Sequence, residues 1–174
     1  IFNYKIPDNS PRSVYRDLWI FSYLGNGINV FDICRLKFSN IHDDEMMFYR
    51  KKTLNTSKNK KLITITIIPE LEKIIDRWGN QSKKQDDYIF PFFYKKMTPI
   101  QEKTVVKNLT KRINKAMKAI GKDLGIGNIT TYTARHSYAS VLKWAGVNVS
   151  FIGEGLGHSS LKITDNYLAN FEKQ

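Results

Sequence analysis

The run Thr98-Pro99-Ile100-Gln101 opens the segment that most constrains how this chain can fold. A threonine followed three residues later by glutamine forms a capping box, in which each side chain takes a backbone N–H left over at the helix start. Proline suits the first helical position because the N–H it lacks would be unsatisfied there anyway. Val105, Leu109, Ile113, Ala116 and Ile120 then recur at helical spacing as one buried stripe, ending at Gly121 or Gly125. This is the longest helix the sequence encodes.

Ser10-Pro11 starts an earlier helix by the same logic, a capping residue and then proline. It carries Val14, Leu18, Phe21, Tyr23 and Leu24 and stops at Gly25-Asn26-Gly27, and a shorter helix follows in NVFDICRLKF. Two strand-like runs come next, EMMFYRKKT (45–53) and KLITITII (61–68). In the second, Ile63, Ile65 and Ile67 alternate with Thr64 and Thr66, the period-two pattern of a half-buried strand. The polar, basic stretch LNTSKNKK between them reads as a hairpin loop. Pro69 opens the helix ELEKIIDRW, and two more helices are expected in TYTARHSYASVLKWAG and NVSFIGEGL. The expected fold is mainly α with one small antiparallel β-hairpin, in a single domain spanning residues 1–174.

Charge narrows the function. Lys plus Arg number 28 against 16 Asp plus Glu, a net charge of +12. Such an excess favours a polyanionic partner, because neutralising phosphates releases condensed counterions. The single cysteine, Cys34, excludes an intrachain disulfide and fits a reducing cytoplasm. No apolar run is long enough to cross a bilayer, and the start IFNYKIPDNS has no signal-peptide core, so no membrane partner is expected.

Tyr132, Arg135 and His136 stand at i, i+3 and i+4, which a helix puts on one face. The apolar stripe of that helix, Ala134, Tyr138, Val141 and Ala145, lies to its side. Arg135 at the core edge could grip a phosphate with its fork, or pair with a carboxylate. Downstream, GHSSLKITDNY sets His158 nine residues ahead of Tyr167.

TARHSYAS, GEGLGHSS and the tyrosine nine residues after that histidine, in this order, closely resemble the catalytic domain of tyrosine recombinases, the phage-type integrases. The likeness extends over GNGINVFDICRLKFSNI and the basic strand with KKT, hence over nearly the whole chain. YTARHSYAS and FSYLGNGINVFDI look most like integrases of mobile elements in Bacteroidetes-type bacteria. The resemblance implies a DNA breaking-rejoining fold, with a core-binding domain preceding this one in a longer recombinase. It also implies a metal-independent, cofactor-free reaction on double-stranded DNA attachment sites. Tyr167 would attack a phosphodiester to give a 3′-phosphotyrosine and a free 5′ hydroxyl. Arg135 and His158 would hold the non-bridging oxygens, and Lys52 of KKT would protonate the departing 5′ oxygen. Four protomers would act together on DNA in the full-length protein, while the isolated domain is expected to be monomeric. Only seven residues follow Tyr167, so the tail that often docks on a neighbouring subunit in this family is expected to be truncated.

Two positions depart from the family pattern. Its first arginine sits in a G-L-R-x-x-E segment, and the matching stretch here runs from Gly27 to Asp32 with Asn29 in the arginine's place. An amide can donate a hydrogen bond but cannot cancel charge, and one such donor is worth roughly 3 kcal/mol in a transition state. Arg50, two residues before Lys52 on the same expected strand, would share its face and is the expected substitute. Arg35 is the rival. Tyr132 stands where the box usually has histidine, and it is expected to support the phosphate as a hydrogen-bond donor rather than to shuttle protons. His136 is expected to be a structural hydrogen-bonder. Lys51, Lys58, Lys60 and Lys61 around the hairpin, with Lys111, Arg112 and Lys115 on the long helix, are candidate DNA backbone contacts. The alternative is a catalytically inactive DNA-binding relative; a type IB topoisomerase would share the chemistry without a specific site.

Overall fold

A computed structural model describes residues 1–7, 10–54 and 61–169, the side chains of Thr53 and Leu54 excepted. Helix α1 (Pro11–Leu24) is capped by Ser10, whose side chain accepts from the Arg12 N–H, and α2 spans Val30–Arg35. A 3-10 turn (Phe38–Asn40) leads into β1 (Ile41–His42), β2 (Glu45–Tyr49), α3 (Lys51–Leu54) and β3 (Leu62–Thr66). Then come α4 (Pro69–Trp78), α5 (Pro99–Asp123), α6 (Thr131–Trp144), α7 (Val149–Gly155) and α8 (Leu161–Ala169). In α5 the expected box forms: Gln101 N–H donates to Thr98 Oγ1 at 3.3 Å, and Thr98 N–H donates to Gln101 Oε1 at 2.8 Å.

The sheet is antiparallel in the order β1-β2-β3, one strand more than the expected hairpin. Met46 pairs with Ile65 and Phe48 with Ile63, so these four side chains share the buried face. Burying each is worth about 2 kcal/mol. The first expected strand run is too long. β2 stops at Tyr49, and Arg50 leads into the short helix α3, so Lys52 is not on the strand and does not share a strand face with Arg50. The reason is a long-range hydrogen bond: the Lys51 backbone N–H donates to Asp32 Oδ1 at 2.9 Å, which turns the chain off the ladder toward α2. Lys58 and Lys60 lie outside the described residues.

Two apolar clusters result. The larger joins α1, α2, α4, α5 and the sheet, with Phe21, Leu71, Met117 and Ile120 fully enclosed. The smaller, Ala139, Ile152, Leu156 and Leu168, binds α6, α7 and α8 together, and Tyr138, Leu142 and Tyr167 pack against it. Helix α6 belongs to both, through Ala134 in the first and Ala139 in the second. Its expected stripe needs correction, because Val141 and Ala145 are exposed and the buried positions are Ala134 and Ala139. The helix turns its inner face toward the larger cluster near its start and toward α7 further along.

Candidate functional site

The start of α6 is fixed from three sides, and this positions Arg135. Thr130 and Thr133 form a capping box, Thr131 N–H donates to Asn114 Oδ1 at 2.8 Å, and Trp19 Nε1 donates to the Thr130 carbonyl at 2.7 Å. One turn later Arg135 reaches across to the loop after α1. Its Nη1 donates to the Gly27 carbonyl at 2.8 Å, and its Nη2 donates to the Leu156 carbonyl. Gly27 has φ +66°, and a Cβ there would come within 2.9 Å of Arg135 Cγ. The Gly25-Asn26-Gly27 stop signal is therefore also the cradle of this arginine.

Arg50 converges on the same point from the other side. Its Nη1 donates to the carbonyls of Leu156, at 3.0 Å, and Gly157, at 3.2 Å. Asp32, only 2% exposed, acts electrostatically on both arginines. Burial lowers the pKa of Arg135 to about 10, with the charge of Arg50 adding to the effect. Burial also lowers that of Arg50, opposed by Asp32 and Tyr167. Two half-buried cations anchored on carbonyl dipoles make a site prepared for an anion.

Asn29 caps α2: its Oδ1 accepts from the Asp32 N–H at 3.0 Å, and its Nδ2 donates to Asp32 Oδ2 at 2.5 Å. Burial raises the Asp32 carboxyl above its ordinary value, against the hydrogen bonds of Lys51 and Asn29. Asp32 thus ties α2 to α3, holding Lys51 and Lys52 beside Arg50.

Tyr167 lies on α8, against the smaller cluster. The ring of His136 stacks on it, with centroids 4.7 Å apart and planes within 9°, while Tyr132 meets His136 edge-on at 3.7 Å. His136 therefore acts as a packing platform for the tyrosine, a role its sequence position did not reveal. His158 meets Tyr167 edge-on at 5.3 Å. Burial raises the Tyr167 phenol well above its usual value, opposed by the charge and hydrogen bond of Arg135. Burial, then Arg135, lowers His136 to about 4; burial, then Arg135, Arg50 and Lys52, does the same to His158.

One pocket of about 780 Å³ is lined by Asn29, Arg50, Lys51, Lys52, Tyr132, Arg135, His158 and Tyr167, together with Lys103 of α5. Lys103 was not anticipated; it lies two turns before Lys111 on the same helix. Arg35 opens instead into a separate pocket with His42, Met47 and Tyr49. Arg112 and Lys115 line a third, with Arg12 and Tyr15 of α1, and Lys111 lines none of these three. Lys61 is exposed just before β3. Among the described residues no group of three or more His, Cys, Asp or Glu could hold a metal ion, and no helix is long and apolar enough to cross a membrane.

Comparison with known proteins supplies the context. Residues 4–174 match the profile of the phage integrase family. The tyrosine recombinase XerA of Pyrococcus furiosus is 27% identical over 164 residues, covering 94% of this chain and 53% of that protein. A tyrosine recombinase of Pseudothermotoga lettingae is 28% identical over 144 residues, 82% of this chain and 45% of that protein. The chain thus spans about half the length of these relatives. Among solved structures, the fold resembles XerH site-specific recombinase bound to its difH substrate, with TM-score 0.60 and 17% identity over 95% of this chain and 45% of that one. It also resembles the Tn1549 transposon integrase in complex with transposon right end DNA, with TM-score 0.56 and 17% identity over 99% of this chain and 67% of that one.

Proposed function

Because the chain belongs to the phage integrase family, we propose that it is the DNA-cleaving domain of a site-specific recombinase that integrates and excises a mobile element. The observation that carries this reading is that Tyr167, Arg135, His158, Arg50 and Lys52 line one pocket although they come from three separate stretches of the sequence. A phenol flanked by fixed cations is what attack on an anionic phosphodiester requires.

The scissile phosphate enters the pocket with its non-bridging oxygens toward Arg135 and Arg50, which exchange carbonyl partners for the anion. His158 donates to the same phosphate, and Tyr132 supports it from the rim. The Tyr167 Oη–P bond forms as the P–O5′ bond breaks. The phenol proton goes to solvent, and Lys52 gives a proton to the departing 5′ oxygen. The 3′-phosphotyrosine keeps the bond energy, so a 5′ hydroxyl from a partner strand can reverse the step. Arg50 takes the charge-cancelling role that Asn29 cannot fill. Its shared bond to the Leu156 carbonyl beside Arg135 supports this over Arg35, which lines a different pocket.

The mobile-element setting rests on the YTARHSYAS and FSYLGNGINVFDI phrases, which resemble integrases of Bacteroidetes-type elements, and on the fold's likeness to a transposon integrase. The net charge of +12, Lys51 and Lys61 near the hairpin, and Lys103 in the pocket lining suit contacts to the DNA backbone. Four protomers joining two attachment sites in the cytoplasm complete the reading. The test is recombination between two cognate attachment sites by the full-length protein. Exchange by the wild type and none by Tyr167→Phe supports the reading. DNA binding without exchange in the wild type favours an inactive DNA-binding relative, the reading that the neutral Asn29 would allow.

A further inference from the structure

His158 is held at two points. Its backbone N–H donates to the Gly153 carbonyl at 2.8 Å, and its Nδ1 lies 3.0 Å from Oγ1 of Thr164, a residue with no exposed surface. Gly153 makes the second contact possible, since a Cβ there would come within 2.6 Å of that same Oγ1. The α7–α8 packing is thus built around a hydroxyl delivered to one nitrogen of the imidazole.

A neutral imidazole carries one proton, so one ring nitrogen donates and the other accepts. The positive groups facing the ring are Arg135, Arg50 and Lys52, and with burial they keep it neutral at physiological pH. An anionic oxygen in the pocket needs a donor, and Nδ1 is already engaged. Only the Nε2–H tautomer can then serve a phosphate. The Thr164 hydroxyl has two possible acceptors, His158 Nδ1 at 3.0 Å and the Ser160 carbonyl at 3.5 Å. The shorter contact is the stronger one.

We propose that Thr164 is a positioning residue whose hydroxyl donates to Nδ1 of His158, holding the neutral ring as the Nε2–H tautomer that donates to the phosphate. No proton leaves either residue. This role rests on the recombinase reading only for its consequence, not for the hydrogen bond itself.

The chain contains three histidines, so ring ¹⁵N–¹H correlation spectra of residues 1–174 near neutral pH can be assigned with His42→Gln and His136→Phe variants. The expected result is a proton on Nε2 of His158 in the wild type and in Thr164→Ser, and a shift toward Nδ1–H in Thr164→Val. In the full-length protein Thr164→Val is expected to slow strand cleavage about tenfold, and Thr164→Ser to stay within about twofold of wild type. A wild-type proton on Nδ1, or a Thr164→Val protein with unchanged tautomer, overturns the proposal. The spectra need no DNA, so their failure refutes the tautomer alone. Absence of cleavage by the wild type refutes the recombinase reading instead.

Discussion

Arg50 and Arg135 donate to the same acceptor, the backbone carbonyl of Leu156. Two like charges meet at one dipole because neighbouring elements bring them there: Arg135 from α6, and Arg50 from the end of β2 as Asp32 turns the chain into α3. An anion at this point would relieve both.

If Arg50 supplies the charge missing at Asn29, Arg50→Ala should reduce the single-turnover cleavage rate of the full-length protein about 10²-fold or more, the usual effect of losing one fixed donor to a developing anion. Arg35→Ala should leave the rate within a few-fold of wild type. Wild-type cleavage by Arg50→Ala would remove Arg50 from the site.

Gly157 carries φ +64°, and a Cβ there would lie 2.5 Å from Arg50 Cδ and 2.7 Å from Ile63 Cδ1. Gly157→Ala should lose about 1–2 kcal/mol from the left-handed backbone alone, and it should also displace the Arg50 guanidinium. Denaturant unfolding and cleavage should therefore fall together. Full stability with full cleavage would contradict the crowding.

His136 and His158 should make stability pH-dependent. Both sit near pKa 4 in the folded chain, against about 6.5 unfolded. Between these values the unfolded chain binds more protons, so stability rises with pH across that window. The contribution is fully present above about pH 6.5 and is lost as pH falls through about 4. Replacing His136 with phenylalanine keeps the ring on Tyr167 and removes one titrating group. Its Tm should fall less steeply than the wild type's over the window. Equal slopes would mean His136 is not held neutral by the fold.

Much of the fold is legible in local chemistry. The Thr98–Gln101 box, the alternation of Ile63 and Ile65, and the Ser10-Pro11 start all describe what a segment does by itself, and each forms, although β3 ends at Thr66 and leaves Ile67 of the expected run outside it. What local pattern cannot carry is pairing at a distance. The end of β2 is set by Asp32, nineteen residues away, accepting from Lys51. The exposure of Val141 and Ala145 follows from where α7 packs on α6, which no wheel of α6 alone contains. The ring of His136 is adjacent to Arg135 in sequence, yet its contact with Tyr167 depends on how α8 folds back. The candidate site was legible as a set of residues through family likeness, while the route by which Arg50 reaches it was not.

On this mechanism Tyr167 forms a covalent bond to DNA. The direct measurement is trapping with the full-length protein on an attachment-site duplex nicked close to the scissile phosphate, followed by mass mapping of the DNA-linked peptide. A 3′-phosphotyrosyl adduct is expected on the peptide containing Tyr167, and none in Tyr167→Phe. An adduct that persists in Tyr167→Phe, or recombination by the wild type without any adduct, would contradict it.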